Sequence, residues 1–266
     1  MLLIDIFIIL LGLAVGSFLN VAIHRLPQDQ SLIRPSSHCP KCKNPIKWYD
    51  NLPVLSFSFL RGRCRHCGEK ISIRYPLIEL LSAFIWYESW RRTGESVVFL
   101  IPVIFISLLL VATVTDLETG LIPDEVSLGG MAAGLAASLF WPELHHTPLR
   151  LIAVMRSGLG LLTGGLLIYV TGVAGNWIFQ RELAKLGMDQ SMGGGDVKLL
   201  AMAGSFLGWE KVLLGFFTAP LLGLPFALYS RLAKEERIIP YGPFLSVACL
   251  IQFLFGEKIW QWFMGI

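Results

Sequence analysis

DIFIILLGLAVGSFLNVAIH, Asp5 to His24, decides what kind of protein this is. A secretory signal peptide opens on a basic segment and carries an apolar stretch of about 7–15 residues. Here Asp5 stands where basic residues would be, and the apolar run exceeds that length, so the stretch reads as a retained membrane anchor. A bilayer-crossing helix needs about 20 mostly apolar residues. Comparable stretches recur at 76–90, 97–115, 125–141, 157–179, 196–208, 211–230 and 243–262. The 266-residue chain is 54% hydrophobic and only 15% charged, well below the roughly 25% charged residues of a soluble domain. The expectation is an all-α polytopic membrane protein with about eight transmembrane helices, the sixth conspicuously short. No internal repeat stands out.

Charge orients these spans. Between Arg25 and Arg74 lie ten of the 22 Lys/Arg residues against three acids, Asp29, Asp50 and Glu69. Lys and Arg accumulate in cytoplasmic loops, so this segment is expected inside, with the N-terminus outside and, after eight crossings, the C-terminus outside as well. Arg181, Lys185, Arg231, Lys234 and Arg237 then fall inside; Arg91, Arg92, Arg150 and Arg156 fall outside, against the rule. Anionic lipid is a sufficient partner for the basic loop, and no nucleic-acid motif accompanies it.

Within that loop, Cys39, Cys42, Cys64 and Cys67 form two C-x-x-C pairs 21 residues apart. Four thiolates so arranged suit a closed, tetrahedral, structural zinc ion. A pair of disulfides is the alternative, disfavoured by a reducing cytoplasm. Residues 25–75 would then be a loop-rich module stapled by metal, between the first anchor (1–24) and a membrane core (76–266). His38 and His66 read as surface residues, and Cys249 as a packing residue.

Two acids mark the cytoplasmic membrane level. In SMGGGDVKLLAMAG, Ser191 to Gly204, three glycines deliver Asp196 to an apolar run, where a helix cap belongs. In VATVTDLETGLIPDEVS, Asp116 closes the third span. Under the charge-derived orientation both lie at one depth. Two nearby carboxylates cannot both ionise cheaply and share a proton. One then acts as general base toward water and the other as general acid toward a scissile amide. That is aspartic proteolysis. Glu118, Asp124 and Asp189 are neighbouring alternatives, with Asp124 placed to cap the fourth span. Lys198, about 200° around the helix from Asp196, reads as a side chain snorkelling to the interface. No H-E-x-x-H, Ser/His or Cys/His arrangement occupies this face; His145 and His146 belong to an outer loop and read as solvent-exposed.

GSFLNVAIHRLP (Gly16–Pro27), the two C-x-x-C pairs, RYPLIELLSA from Arg74, DLETGLIPD from Asp116, GGGDVKLLAMAG from Gly193 and IPYGP (Ile239–Pro243) together resemble the bacterial type IV prepilin peptidases, which are G-x-G-D membrane aspartic proteases. The resemblance spans nearly the whole chain and places the catalytic pair on Asp116 and Asp196. It implies a multi-pass enzyme of the bacterial inner membrane that cuts the leader from prepilins and pseudopilins at the cytoplasmic face, then N-methylates the new terminus with S-adenosylmethionine. No dinucleotide-type glycine motif marks the methyl-donor site. Glu79, an acid inside the second span, is the residue available for it, with a helix-to-helix hydrogen bond as its alternative role. Rival readings are an ion-coupled transporter using paired carboxylates and a zinc scaffold in which the acids are only caps.

Overall fold

The computed structural model describes residues 2–94, 96–185, 190–233 and 240–265. Asp189, Lys234, Arg237 and Ile239 lie outside the described residues. Ten α-helices occupy the described chain: α1 (Leu2–Arg25), α2 (Leu55–Phe59), α3 (Arg74–Thr93), α4 (Leu100–Thr119), α5 (Asp124–Phe140), α6 (Arg150–Ile178), α7 (Gln180–Lys185), α8 (Gly194–Leu207), α9 (Trp209–Leu232) and α10 (Gly242–Met264). Each of the eight apolar stretches falls on one of them. Five segments are long and apolar enough to cross a membrane: Leu2–Gln28, Val97–Thr119, Arg150–Ile178, Trp209–Ser230 and Gly242–Trp262. The stretches on α3, α5 and α8 are helical but fall outside that set. Charged ends dilute α3, and α5 and α8 are short. At 1.5 Å per residue, α8 is about 21 Å long, less than the hydrocarbon thickness of about 30 Å.

Two compact units divide the chain, Met1–Ser107 and Leu108–Ile266. In the first, α1 and α3 pack with their backbones nearly touching. A methyl group on Gly12 would come within 2.7 Å of the Ala83 Cα, and one on Gly16 within 2.6 Å of the Glu79 Cα. In lipid, where burial of apolar surface gives no net drive between helices, such small residues allow the dispersion contacts that hold a pair. Ser82 adds a hydrogen bond from its hydroxyl to the Gly12 carbonyl, 2.7 Å. Ile8, Trp86 and Val103 continue this core, with Phe99 edge-on to Trp86.

The loop between α1 and α3 has no continuous strand or long helix among its described residues. Each Cys pair opens a knuckle of the same design. The Cys39 N–H donates to the Asn44 carbonyl and the Lys43 N–H returns to the Cys39 carbonyl; the Cys64 N–H donates to Glu69 and the Gly68 N–H returns to Cys64. The fourth residue after the leading cysteine takes positive φ in both, +57° at Lys43 and +72° at Gly68. Arg25, buried at the end of α1, gathers the outgoing loop by donating to the Ser31 and Pro35 carbonyls.

In the second unit α8 is the central element. Every residue from Leu199 to Leu207 is buried, beneath α5, α6, α9 and α10. Gly160 of α6 and Gly204 of α8 meet backbone to backbone, and the Ser157 hydroxyl donates to the Ser205 carbonyl at 2.7 Å. A helix apolar on all sides belongs inside a bundle, so α8 is legible as a core helix despite its length. His145, expected on the surface, is instead only 4% exposed. Its Nε2 pairs with the Ser138 hydroxyl at 2.9 Å and its carbonyl takes a bond from Arg156. Burial, then the nearby Lys211 charge, pushes its pKa down to about 4. A neutral, hydrogen-bonded imidazole can close the α5–α6 turn; a charged one could not. His146 is exposed, as expected.

Candidate functional site

The end of α4 is set by Gly120, whose positive φ of +67° stops the helix while its N–H bonds the Asp116 carbonyl at 2.9 Å. Only a residue without Cβ takes that conformation cheaply. The chain then turns through Leu121, Ile122 and Pro123 into α5. Asp116, on the last turn of α4, is buried at 7% exposure. Its Oδ2 accepts the Gly242 N–H at 2.9 Å. That donor is one of the unpaired N–H groups at the start of α10, and it reaches Asp116 across 126 sequence positions.

Asp196 lies at the third position of α8, and Gly193 is the cap. The expectation that Asp196 itself caps the helix is therefore corrected in part. No side chain caps α8 from Gly193, and the Asp196 carboxylate reaches back to the Gly193 N–H, as an acid does at the third position of a capping box. A methyl group on Gly193 would stand 3.3 Å from Asp196 Oδ2.

Ile122 brings the two aspartates into one place. A methyl group on Gly195 would meet the Ile122 Cβ at 3.1 Å, and one on Gly242 would meet Ile122 Cδ1 at 3.1 Å and Asp116 Oδ2 at 2.6 Å. The α4–α5 turn is thus wedged between the starts of α8 and α10, and the Asp116 charge acts on Asp196. Glu118 is exposed. Asp124 does not cap α5, whose cap is Pro123; it pairs with Lys198 at 2.6 Å. The snorkelling expected of Lys198 is replaced by that ion pair, which links α5 to α8.

Glu79 occupies a second buried site, at 7% exposure in the α1–α3 seam. Its Oε2 accepts the Val54 N–H at 2.8 Å, and the Ser17 hydroxyl bonds the same carboxylate. Val54 has φ +60°, ψ −44°, a conformation a β-branched residue adopts only under constraint. One turn nearer the end of α1, Asn20 donates to the Tyr75 carbonyl at 3.0 Å and to the Gly16 carbonyl at 3.3 Å. Its Oδ1 is buried with no hydrogen-bond partner among the described residues. Leaving such an acceptor unpaired costs about 1–3 kcal/mol.

The four cysteines form the third site. All are free thiols, and their sulfurs lie within 4.8 Å of one another. The Cys39 and Cys67 sulfurs are 3.8 Å apart, far from the roughly 2.05 Å of a disulfide and equal to the edge of a tetrahedron with metal–sulfur bonds of about 2.3 Å. Backbone N–H groups aimed at the sulfurs favour thiolates: those of Cys67 and His66 draw Cys64 down to about 7, and that of Asn44 lowers Cys42. The donor set fits a metal ion. His66 is exposed and neither His38 nor His66 joins the cluster.

Sequence reasoning passed over Gly242, Ile122, Ser17, Asn20 and Val54 as working residues. All sit inside or beside quoted motifs, but their partners are 25 to 126 positions away and nothing local announces them.

Residues 10–92 match the model of the Bacterial Peptidase A24 N-terminal domain, and residues 103–228 that of the Type IV leader peptidase family. Several relatives carry the name Prepilin leader peptidase/N-methyltransferase. The one from Myxococcus xanthus (strain DK1622) is 39% identical over 208 residues, covering 78% of this chain and 57% of its own length. That of Klebsiella pneumoniae is 40% identical over 212 residues, covering 77% and 86%. That of Neisseria gonorrhoeae is 34% identical over 275 residues, covering 94% and 90%. The chain thus spans a little over half the length of the Myxococcus relative and most of the other two. No solved structure gives a significant match. Two family models in tandem, and a relative aligned along nearly its full length, mean that the chain belongs to the type IV leader peptidase family.

Proposed function

We propose that the protein is a prepilin leader peptidase and N-methyltransferase of the bacterial inner membrane, with Asp116 and Asp196 as its catalytic pair. The observation that carries the reading is the convergence of these two carboxylates on the Ile122–Gly242 junction. Prepilins and pseudopilins are the substrates. Acting together, one aspartate takes a proton from a water that attacks the scissile carbonyl, while the other gives its proton to the carbonyl oxygen. The resulting gem-diol collapses as the amide nitrogen is protonated and the C–N bond breaks. No acyl-enzyme forms. The Gly242 N–H fixes Asp116, and the Gly193 N–H fixes Asp196, so neither carboxylate needs to reorganise during the reaction.

Zinc is the ion proposed for Cys39, Cys42, Cys64 and Cys67, where it would hold the 25–75 module together without touching substrate. S-adenosylmethionine would supply the methyl group, and Glu79 is the residue proposed to serve its site. Anchor 1–24, module 25–75 and core 76–266 are the proposed working parts, with the module cytoplasmic and both termini outside. Ion-coupled transport has no supporting feature in the sequence, where neither a repeat nor an acid cluster in the middle of a span is visible.

Purified protein incubated with a prepilin, with and without S-adenosylmethionine, should give the leader and mature chain in both cases, and a mature chain heavier by one methylene only with the methyl donor. Intact prepilin in both mixtures would overturn the protease reading. Orientation is tested separately by thiol labelling of Asn51→Cys and Lys185→Cys, expected from the cytoplasmic side, and His146→Cys, expected from outside.

A further inference from the structure

We propose that Asn20 and Glu79 form a binding site for a primary ammonium group in the α1–α3 seam. This rests on the methyl-transfer half of the function proposed above. Both residues lie in the α1–α3 seam, about one turn of α3 apart. Asn20 donates to the Tyr75 carbonyl, one turn before Glu79, and Gly16, one turn before Asn20 on α1, lies against the Glu79 Cα.

The Asn20 amide is oriented by its own network. Its nitrogen has two carbonyls to serve, Gly16 and Tyr75; a flipped amide would set oxygen against both. Oδ1 is therefore an acceptor by construction. It is on a residue 2% exposed and has no donor among the described residues. Glu79 offers more of the same. A carboxylate has about four acceptor positions, and the Val54 N–H and Ser17 hydroxyl fill two. No Lys, Arg or His charge acts on it among the described residues.

Unfilled acceptors with one net negative charge select a small cationic donor. A hard metal cation requires six or more oxygen ligands, more than the seam provides. A primary ammonium brings three N–H donors and one positive charge, which matches Asn20 Oδ1 and the carboxylate. Both reactants of an N-methyl transfer carry such a group: the new N-terminal amine of the cleaved chain, and the amino-acid end of the methyl donor.

The test uses the full-length protein in lipid nanodiscs and paired probes that differ only at the ammonium end. S-adenosylhomocysteine is compared with methylthioadenosine, which lacks the amino-acid end. A peptide of the mature pilin N-terminus is compared with its N-acetylated form. Glu79→Gln keeps an acceptor for the Val54 N–H and removes the charge. It should weaken one ammonium-bearing probe by about tenfold or more and leave its ammonium-free counterpart unchanged; the responding probe identifies the source of the ammonium. Asn20→Ser should weaken the same probe. Binding of both ammonium probes within twofold of wild type in Glu79→Gln would overturn the proposal, as would a loss shared equally by the counterparts, which is what a merely structural role produces. A wild-type product that is never methylated removes the parent reading; a methylated product with probe binding indifferent to Glu79 removes only this site.

Discussion

Each unit of the molecule buries one carboxylate at a helix end and gives it a backbone N–H from a distant segment. Asp116 receives the Gly242 N–H and Glu79 receives that of Val54. The construction is the same, and the neighbours differ. The Asp116 charge acts on a second carboxylate, Asp196; no second acid acts on Glu79 among the described residues. Two acids close enough to act on one another can hold one proton between them and pass it to and from an amide. An acid with no second acid acting on it does not share a proton in this way and, on the proposal above, offers its charge to a cation. On the functions proposed above, this difference would separate proteolysis in the second unit from amine handling in the first.

The comparison breaks most visibly at the aspartates. Asp116→Asn and Asp196→Asn should each reduce cleavage by about a thousandfold or more, and the double variant should be little worse, because paired groups act as one unit. Asparagine keeps most of the size and the reach-back to the Gly193 N–H, so the fold survives. Prepilin cleavage at matched expression is the measurement. Full activity in Asp196→Asn would reduce that residue to a capping role and collapse the contrast between the units.

A smaller effect is expected at Gly242. Alanine there would place its Cβ 2.6 Å from Asp116 Oδ2 and 3.1 Å from Ile122 Cδ1, so the carboxylate must shift by part of an ångström. Misplacement of that order costs about 10- to 100-fold in rate, with substrate affinity little changed. A kcat equal to wild type would show that the N–H donor does not position Asp116.

Loss of the metal proposed for the four-cysteine module should affect the two activities unequally. Cys39→Ser or Cys67→Ser should release the metal, as read by elemental analysis, and lower the thermal stability of the first unit, since a structural metal contributes folding energy directly. Val54 belongs to that module and its N–H holds Glu79. Methylation should therefore fall further than cleavage. Equal loss of both would mean that the module serves the aspartates as well.

How much of this was legible in the sequence follows from where each constraint is written. Lipid as solvent forces every backbone group into a helix, so each apolar stretch became a helix, although only five segments are long and apolar enough to cross a membrane. The cysteine pairs are local, and their spacing alone located the cluster. Charge-derived topology supplied the expectation that Asp116 and Asp196 share one depth. What stayed hidden is relational. The Gly242 N–H, the Val54 N–H and the unpaired Asn20 oxygen become visible only when segments remote in sequence are brought together, and His145 was misread because its partner Ser138 is an ordinary residue in an apolar helix.

The smallest expected effect concerns Lys198, two residues from Asp196. In the folded protein it pairs with Asp124 at 2.6 Å, with the side chains 39% and 56% exposed. Exposed pairs contribute about 0.2–1 kcal/mol, and salt screens them further. The pair therefore acts as a light tie between α5 and α8. Lys198→Ala, Asp124→Asn and the double variant should each retain cleavage within about threefold of wild type, with the double variant no worse than either single. The same series at low and high salt should converge, as the charge of an exposed pair is screened. A loss of a hundredfold in Lys198→Ala with Asp124→Asn unaffected would mean that the lysine works on substrate or on Asp196. The proton-sharing pair would then be a triad, and the likeness in construction between the two buried acids would no longer hold.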